Sequence, residues 1–392
     1  MGPKPALGWA RSASLTGLML ISVLGHADAS AQAVETAAAP LQFERTLRLE
    51  ETSETSANVS LGDVDGDGDL DAVLAKGRHW PLVDVVLLGD GSGAFLDPRA
   101  LGVADRTYSA VLVDLDADGD LDVVISNDDP DPKLIYLNDG NGNYTVGSEF
   151  GKPEWAIRHA SVADMNGDGL PDIVLAHRTG DSSGHNYVCL NRGGGRFDDD
   201  CIGFSTESAT TVTPADFNGD GLLDLVVPHR EGGQGHIYLN SGDADFPDRI
   251  PFGPPDAAIR AAKAADLDGD EILDLVVIDQ AEGAAILMGR PDGTFSSGVP
   301  LAESQARPYA LALADLNDDG HVDVIVGHVN ARPVAYFNDG RGTSFTPVPF
   351  GDEDGTAYGF AVGDVDDDGF VDIAVARSGA PNVLYFGGAA SR

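Results

Sequence analysis

The sequence predicts an all-β chain: a seven-bladed β-propeller of four-stranded blades, closed by an N-terminal strand that completes the last blade. Three observations predict it. A nine-residue Asp/Gly pattern recurs seven times, starting at Asp63, Asp114, Asp164, Asp216, Asp266, Asp315 and Asp364, at intervals of 49 to 52 residues. Each interval holds short runs of Val, Ile, Leu, Phe and Tyr bounded by Gly, Asn and Asp, which mark strands and tight turns and show no helical period. The seventh repeat stops one run short, and Leu41-Gln42-Phe43 near the start resembles the missing one. Four strands in about fifty residues make a propeller blade. Closure by the N-terminal strand leaves no unfinished sheet edge.

The elements follow in order along the chain. Lys4 and Arg11 flank a short positive start, the apolar run Leu15–Leu24 follows, and Ala27-Asp28-Ala29 and Ala31-Gln32-Ala33 offer small-residue cleavage patterns. Residues 1–33 therefore read as a signal peptide, with an apolar core too short to span a bilayer. Residues 34–40 read as a linker, 41–388 as the propeller and 389–392 as a tail. No later stretch is long and apolar enough for a membrane span, so the expected destination is the periplasm or the medium. The second repeat shows the parts of a blade: Ser109–Asp114, an Asp-rich loop to Asp122, Val123–Ile125, Leu134–Leu137, the turn Asn138–Asn143, and Tyr144.

Charge narrows the partners. The 24 Lys and Arg face 64 Asp and Glu, a formal net charge of −40. Nucleic acid needs a basic footprint, so it is excluded as a partner. Acidity alone favours solubility, but the placement of the acids points to metal.

Each repeat carries D-x-[D/N]-x-D-G-x-x-D or a near variant. The candidate ligands are Asp63, Asp65, Asp67 and Asp71 in blade one; Asp114, Asp116, Asp118 and Asp122 in blade two; and Asp164, Asn166, Asp168 and Asp172 in blade three. Blade four offers Asp216, Asn218, Asp220 and Asp224, and blade five Asp266, Asp268, Asp270 and Asp274. Blade six has Asp315, Asn317, Asp319 and Asp323, and blade seven Asp364, Asp366, Asp368 and Asp372. Oxygen ligands at positions 1, 3 and 5 suit a hard cation, and Gly at position 6 permits the sharp turn. Carboxylates packed so tightly repel strongly without a cation, which makes Ca²⁺, up to seven ions in a structural role, the expected cofactor. Position 12, where an EF-hand places Glu, is apolar in every repeat (Leu74, Ile125, Leu175, Val227, Val277, Val326, Val375), so these are not EF-hands. Blade five has Glu271 in place of Gly at position 6, and its loop is expected to bind most weakly.

Cys189 and Cys201 are the only two cysteines. In an exported chain they are expected to pair across the turn Asn191–Arg196.

In these residues the chain resembles the FG-GAP or VCBS repeat family, which includes integrin α-subunit propellers and many bacterial exported proteins. Blade seven carries Gly379-Ala380-Pro381 literally, with Phe360 and Gly363-Asp364 upstream. The resemblance covers residues 41–387. It implies a propeller with structural calcium clamping the loop between the first two strands of each blade. Members include adhesion receptors, lectins and a few carbohydrate-active enzymes, so the resemblance does not choose a function.

In a propeller the Asp loops share one face, and the second-to-third strand loops and blade connections share the other. On that other face the sequence becomes basic and aromatic. Candidate ligand-binding residues there are Trp80, Tyr108, Trp155, Arg158, His177, Arg178, His229, Arg230, Tyr309 and Tyr358, among neighbours that include Arg78, His79, His159, Arg260 and Lys263. Aromatic faces stack on sugar rings and Arg reads carboxylate or sulfate bidentately. The alternative is that these Arg residues merely pair with surplus Asp at the surface. The leading expectation is a recognition or adhesion module, lectin-like in gripping a glycan or else binding a protein. An enzyme acting on an anionic polysaccharide and a plain scaffold are the alternatives. No triad, carboxylate pair, serine-hydrolase motif or phosphate loop stands out to favour catalysis.

Overall fold

Each repeat folds as an antiparallel four-stranded sheet, and the seven sheets form a ring. A computed structural model describes residues 41–389 apart from 97, 179–183, 198–199 and 302–305. The expected signal peptide and linker and the last residues of the tail lie outside that range. Among the described residues there is no α-helix, and none long and apolar enough to cross a membrane. In six blades the strands lie in chain order. The seventh takes Gln42–Arg48 as its outer strand, beside Val383–Gly388, with Arg48 opposite Val383 and Arg45 opposite Phe386. The unfinished repeat and the leading strand thus complete each other, and Phe43 packs on Phe350 at 5.1 Å.

The first strands of neighbouring blades touch in a closed circuit: Ser56–Gly62, Thr107–Val113, Ile157–Ala163, Thr213–Ala215, Ile259–Ala265, Pro308–Ala314 and Thr356–Gly363. They line the axis. The second strands start on the last Asp of each loop and are buried along nearly their whole length, as in Asp71–Lys76 and Asp323–His328. This is why they read as unbroken apolar runs. Both faces of each sheet are covered by a neighbouring blade, and alternate side chains serve different neighbours. Val73 and Ala75 join the core shared by blades one and two, whereas Ala72 and Leu74 join the core shared by blades seven and one. Seven such cores lie between seven pairs of blades.

A polar staple crosses four of these interfaces. At the end of the third strand in blades two, three, four and six stands a buried Asn: Asn138, Asn191, Asn240 or Asn338. Its side-chain amide donates to a carbonyl of the preceding blade's Asp loop and to one in its own blade. For Asn138 these are Val64 at 2.7 Å and Leu121 at 3.1 Å; for Asn338 they are Leu267 at 2.8 Å and Val322 at 3.2 Å. Blades one, five and seven have Gly89, Gly289 and Gly387 at the equivalent place. Asn138→Ala would leave two carbonyls unsatisfied in a closed interface. The expected cost is about 2–3 kcal/mol, read as a lower urea midpoint with an unchanged slope.

Cys189 and Cys201 are disulfide-bonded, with Cα atoms 4.4 Å apart. The register explains the fit: Val188 faces Ile202 in the adjacent rung of the hairpin.

Candidate functional site

Two polar constellations are built at opposite ends of the first strands. The Asp loops lie where these strands end. A basic mouth lies where they begin.

In each Asp loop the first Asp folds the backbone around itself. Asp63 accepts from the N–H of Gly66 at 2.7 Å and of Gly68 at 3.0 Å. Asp164 and Asp216 repeat this pair of contacts. The resulting turn requires a left-handed residue at position 6, as expected, and also at position 4. Position 4 is Gly66, Gly167, Gly219 and Gly269 in four blades but Ala117, Asp318 and Asp367 in the others, all at positive φ. Glu271 is likewise left-handed, at φ 67°. Such a backbone costs a non-Gly residue roughly 1–2 kcal/mol, so Glu271→Gly is expected to stabilise blade five by about 1 kcal/mol after its entropic cost. Calcium titration of the two forms checks this. An unchanged stoichiometry and melting temperature would refute the idea that Glu271 weakens its loop.

The last Asp of the loop has a role the sequence pattern concealed. Both its oxygens are held by buried backbone N–H groups, one from position 2 of the loop and one from the end of the third strand. Asp71 accepts from Val64 and Gly89, each at 2.7 Å. Asp122 accepts from Leu115 and Asn138, each at 2.9 Å. Asp172, Asp224, Asp274, Asp323 and Asp372 do the same. This residue ties loop to sheet whether or not a cation is bound. Burial pushes its carboxyl up, to about 6 in Asp71, Asp122, Asp274, Asp323 and Asp372, against the pull of the two N–H donors.

Positions 1, 3 and 9 converge. In blades one, two, five and seven, one oxygen each from Asp63/Asp65/Asp71, Asp114/Asp116/Asp122, Asp266/Asp268/Asp274 and Asp364/Asp366/Asp372 lies within 4.8 Å of the others. Blade five assembles its acids as blades one, two and seven do, despite Glu271. Position 5 (Asp67, Asp118, Asp270 or Asp368) caps the N–H of position 7. The blades with Asn at position 3 use its amide to hold position 5: Asn166 to Asp168 at 3.0 Å, Asn218 to Asp220 at 2.9 Å, and Asn317 to Asp319 at 2.9 Å. The donor set is all oxygen, which suits a hard divalent cation. One observation of the fold fits such an ion directly. The Oδ1 atoms of Asp65, Asp116 and Asp366 are buried without a hydrogen-bond partner among the described residues. Burial, then the charge of the neighbouring Asp67, Asp118 or Asp270, raises the carboxyls of Asp65, Asp116 and Asp268. In blade seven the closing strand adds a guanidinium, Arg45, 2.5 Å from Asp366.

At the other end of the axis lies a cavity of about 330 Å³, lined by all seven blades. Its construction rests on a repeated backbone device. In six blades the pairing of the first and second strands slips by one residue near the strand's start. The extra residues are Ala57, Tyr108, Arg158, Arg260, Tyr309 and Tyr358. A bulge of this kind leaves one residue unpaired and re-aims its side chain; here all six point into the mouth, where Thr210 of blade four joins them. Arg78, Arg178 and Arg230 reach in from the second-to-third strand loops, and further along the first strands His159 stands one residue past Arg158 and Lys263 three past Arg260.

Of the ten expected ligand-binding residues, the structure brings together six in this mouth: Tyr108, Arg158, Arg178, Arg230, Tyr309 and Tyr358. Trp80 stands outside it with 64% of its surface exposed, beside His79. Trp155 stacks flat on Tyr187 at 3.8 Å and packs against the core between blades two and three. His177 is buried, edge-on to Tyr187, and His229 is half-buried against Gly233. Arg260 and Lys263, present in the sequence among many surface cations, prove central. Nothing local distinguishes them; only their place five and two residues before Ala265, the end of their strand, could have.

Pairing in the mouth is incomplete. Arg158 binds Asp128 at 2.5 Å and Arg178 binds Glu231 at 3.1 Å. Arg260 lies 3.5 Å over the ring of Tyr309, and Arg78 lies 3.9 Å over that of Tyr358. The two tyrosine hydroxyls share a hydrogen bond of 2.7 Å. Burial lowers Arg260 to about 10, opposed by Tyr309 and reinforced by Arg230. Burial also lowers Lys263, and pushes His159 down to about 3 with Lys263 adding to the effect. On the rim, the Tyr108 hydroxyl lies 3.0 Å from Nε2 of His79, whose Nδ1 is 3.4 Å from Asp128.

A profile described as FG-GAP-like repeat matches residues 63–125, 114–175, 164–227, 266–326 and 315–375. No curated protein matches the chain in sequence. Similar solved structures share the fold. Two are crystals of BBS1N in complex with ARL6DN. The one soaked with mercury is 13% identical, covers 89% of this chain and 97% of its own, and has a TM-score of 0.58. The one soaked with lead is 12% identical, covers 88% and 96%, and has a TM-score of 0.60. A third is a catalytically inactive virginiamycin B lyase from Staphylococcus aureus with quinupristin, 12% identical over 88% of this chain and 99% of that one, at a TM-score of 0.58.

Proposed function

The chain belongs to the family of FG-GAP-like repeat proteins, and on that premise we propose that it is an exported, calcium-clamped recognition module that grips its ligand in the axial mouth opposite the Asp loops. One observation carries the reading. On a chain of net charge −40, bulges in six blades converge on one cavity that gathers arginines and tyrosines from around the ring. Calcium acts at the other end, where seven similar loops each fix the joint between two strands and so hold the first strands in place. The module acts in the periplasm or the medium, and its ligand is a glycan or a protein. The BBS1N structures contain a protein partner, which supports the second kind of ligand.

A catalytic reading has one observation of its own. The Tyr108–His79–Asp128 chain on the rim resembles an acid–base relay beside Arg158, and such a group could move a proton on an anionic saccharide. One experiment separates the two. The mature protein is passed over a panel of polysaccharides, glycans and proteins, with calcium and with chelator, reading both retention and new reducing ends. Calcium-dependent retention without cleavage supports recognition, cleavage moves the assignment to a lyase or hydrolase, and neither outcome defeats both.

A further inference from the structure

We infer that the axial mouth selects an oxyanion: a carboxylate or sulfate carried on a body the size of a small sugar. This rests on the reading of the mouth as the ligand site and adds what that site demands. Four cations there, Arg78, Arg230, Arg260 and Lys263, have no ion-pair partner among the described residues. Solvating water does not explain their placement, because donor atoms are buried as well. The Nε of Arg78, the Nε of Arg158 and Nη1 of Arg260 are shut away from solvent without an acceptor among the described residues. Buried charge-bearing donors left unmatched are costly. The guanidinium groups also feel each other: Arg178 opposes the charge of Arg230, and Arg230 and Arg78 oppose that of Arg260.

A chain with 64 acids could have neutralised this cluster, and among the described residues only Asp128 and Glu231 form ion pairs with its arginines. A planar or tetrahedral oxyanion offers the missing counter-charge to these unpaired cations, in the forked geometry that guanidinium groups match. Size and depth restrict the rest of the ligand. A cavity of about 330 Å³ lies at the low end of the roughly 300–1,000 Å³ of small-molecule sites. Lys263 sits below the arginine level, so an anionic group entering first meets arginines and then an ammonium.

The test is titration calorimetry on the full chain with calcium, at matched ionic strength, with glucuronic acid, glucose 6-sulfate and glucose as probes. The variants are Arg230→Gln and Lys263→Met, whose side chains form no hydrogen bond among the described residues; unchanged thermal unfolding confirms that they fold. The expected result is binding of one or both acidic sugars, glucose at least about tenfold weaker, and a loss of about tenfold or more in each variant. The two acidic probes distinguish carboxylate from sulfate. Equal binding of glucose, weakened by the same substitutions, would overturn anion selection while leaving the mouth as the recognition site. Absence of binding by all probes, or acidic binding untouched in both variants, would also overturn it. If retention in the ligand panel were equally insensitive to both substitutions, the mouth itself would fall as the site.

Discussion

Chelating calcium is expected to lower the unfolding free energy by more than any single substitution. A site filled at a hundred times its dissociation constant contributes about 2.7 kcal/mol, and the fold presents seven similar loops. Three filled loops would already match the roughly 5–15 kcal/mol of a typical domain's stability. The physical source is the convergence of positions 1, 3 and 9 within 4.8 Å, which sets acids against each other until a cation relieves them. Thermal unfolding followed by near-ultraviolet circular dichroism, with excess calcium and with chelator, measures the effect. Coincident melting curves would mean that the loops hold no calcium that matters to the fold.

The second large effect separates the two tasks of the Asp loop. Asp122→Ala is expected to cost about 3–5 kcal/mol, because it strips the charged acceptor from two buried N–H groups: those of Leu115 and Asn138, each at 2.9 Å. That cost should persist in chelator. Asp116→Asn should behave differently. Its Oδ1 has no partner among the described residues, and burial, then the charge of Asp118, disfavours its ionised form. The substitution should therefore weaken the protein in calcium and be neutral or slightly stabilising in chelator. Urea unfolding of both variants in both conditions gives the comparison. If Asp122→Ala lost its effect in chelator, position 9 would be a metal ligand only and not a tie between loop and sheet.

Much of the molecule is legible one residue at a time. Asp63 and Gly68 announce their turn because a carboxylate two to five residues from free N–H groups folds back on them, and only glycine enters the left-handed region freely. The staple residues Asn138, Asn191, Asn240 and Asn338 are harder to read. Each looks like a turn residue at the end of a strand, and its partner carbonyl lies in the preceding blade, more than 70 residues away. Position 9 hides in the same way: the acid that closes a metal loop and the acid that caps two buried N–H groups are one letter. Trp155 shows how a connection residue finds an internal partner. An aromatic in a connection suggests a stacking platform for a ligand, but the partner it stacks on is Tyr187 of its own blade.

By itself the sequence determined the blade, the count of seven, the closure by a strand around Leu41-Gln42-Phe43 and the composition of every Asp loop, because each depends on contacts within a repeat or on the simple absence of one strand. Only the tertiary structure decided where the cations go. Tyr108, Arg158, Arg260, Tyr309 and Tyr358 stand about fifty or a hundred residues apart, and an ideal pairing of the first two strands would set each in the regular alternation of its sheet. A slip of one residue, repeated around the ring, takes each out of its ladder and turns it toward the axis. A strand's alternation has a period of two, so a single extra residue changes the face a side chain serves. That change is invisible in the residue types and becomes a cavity lining only when seven blades close on one axis.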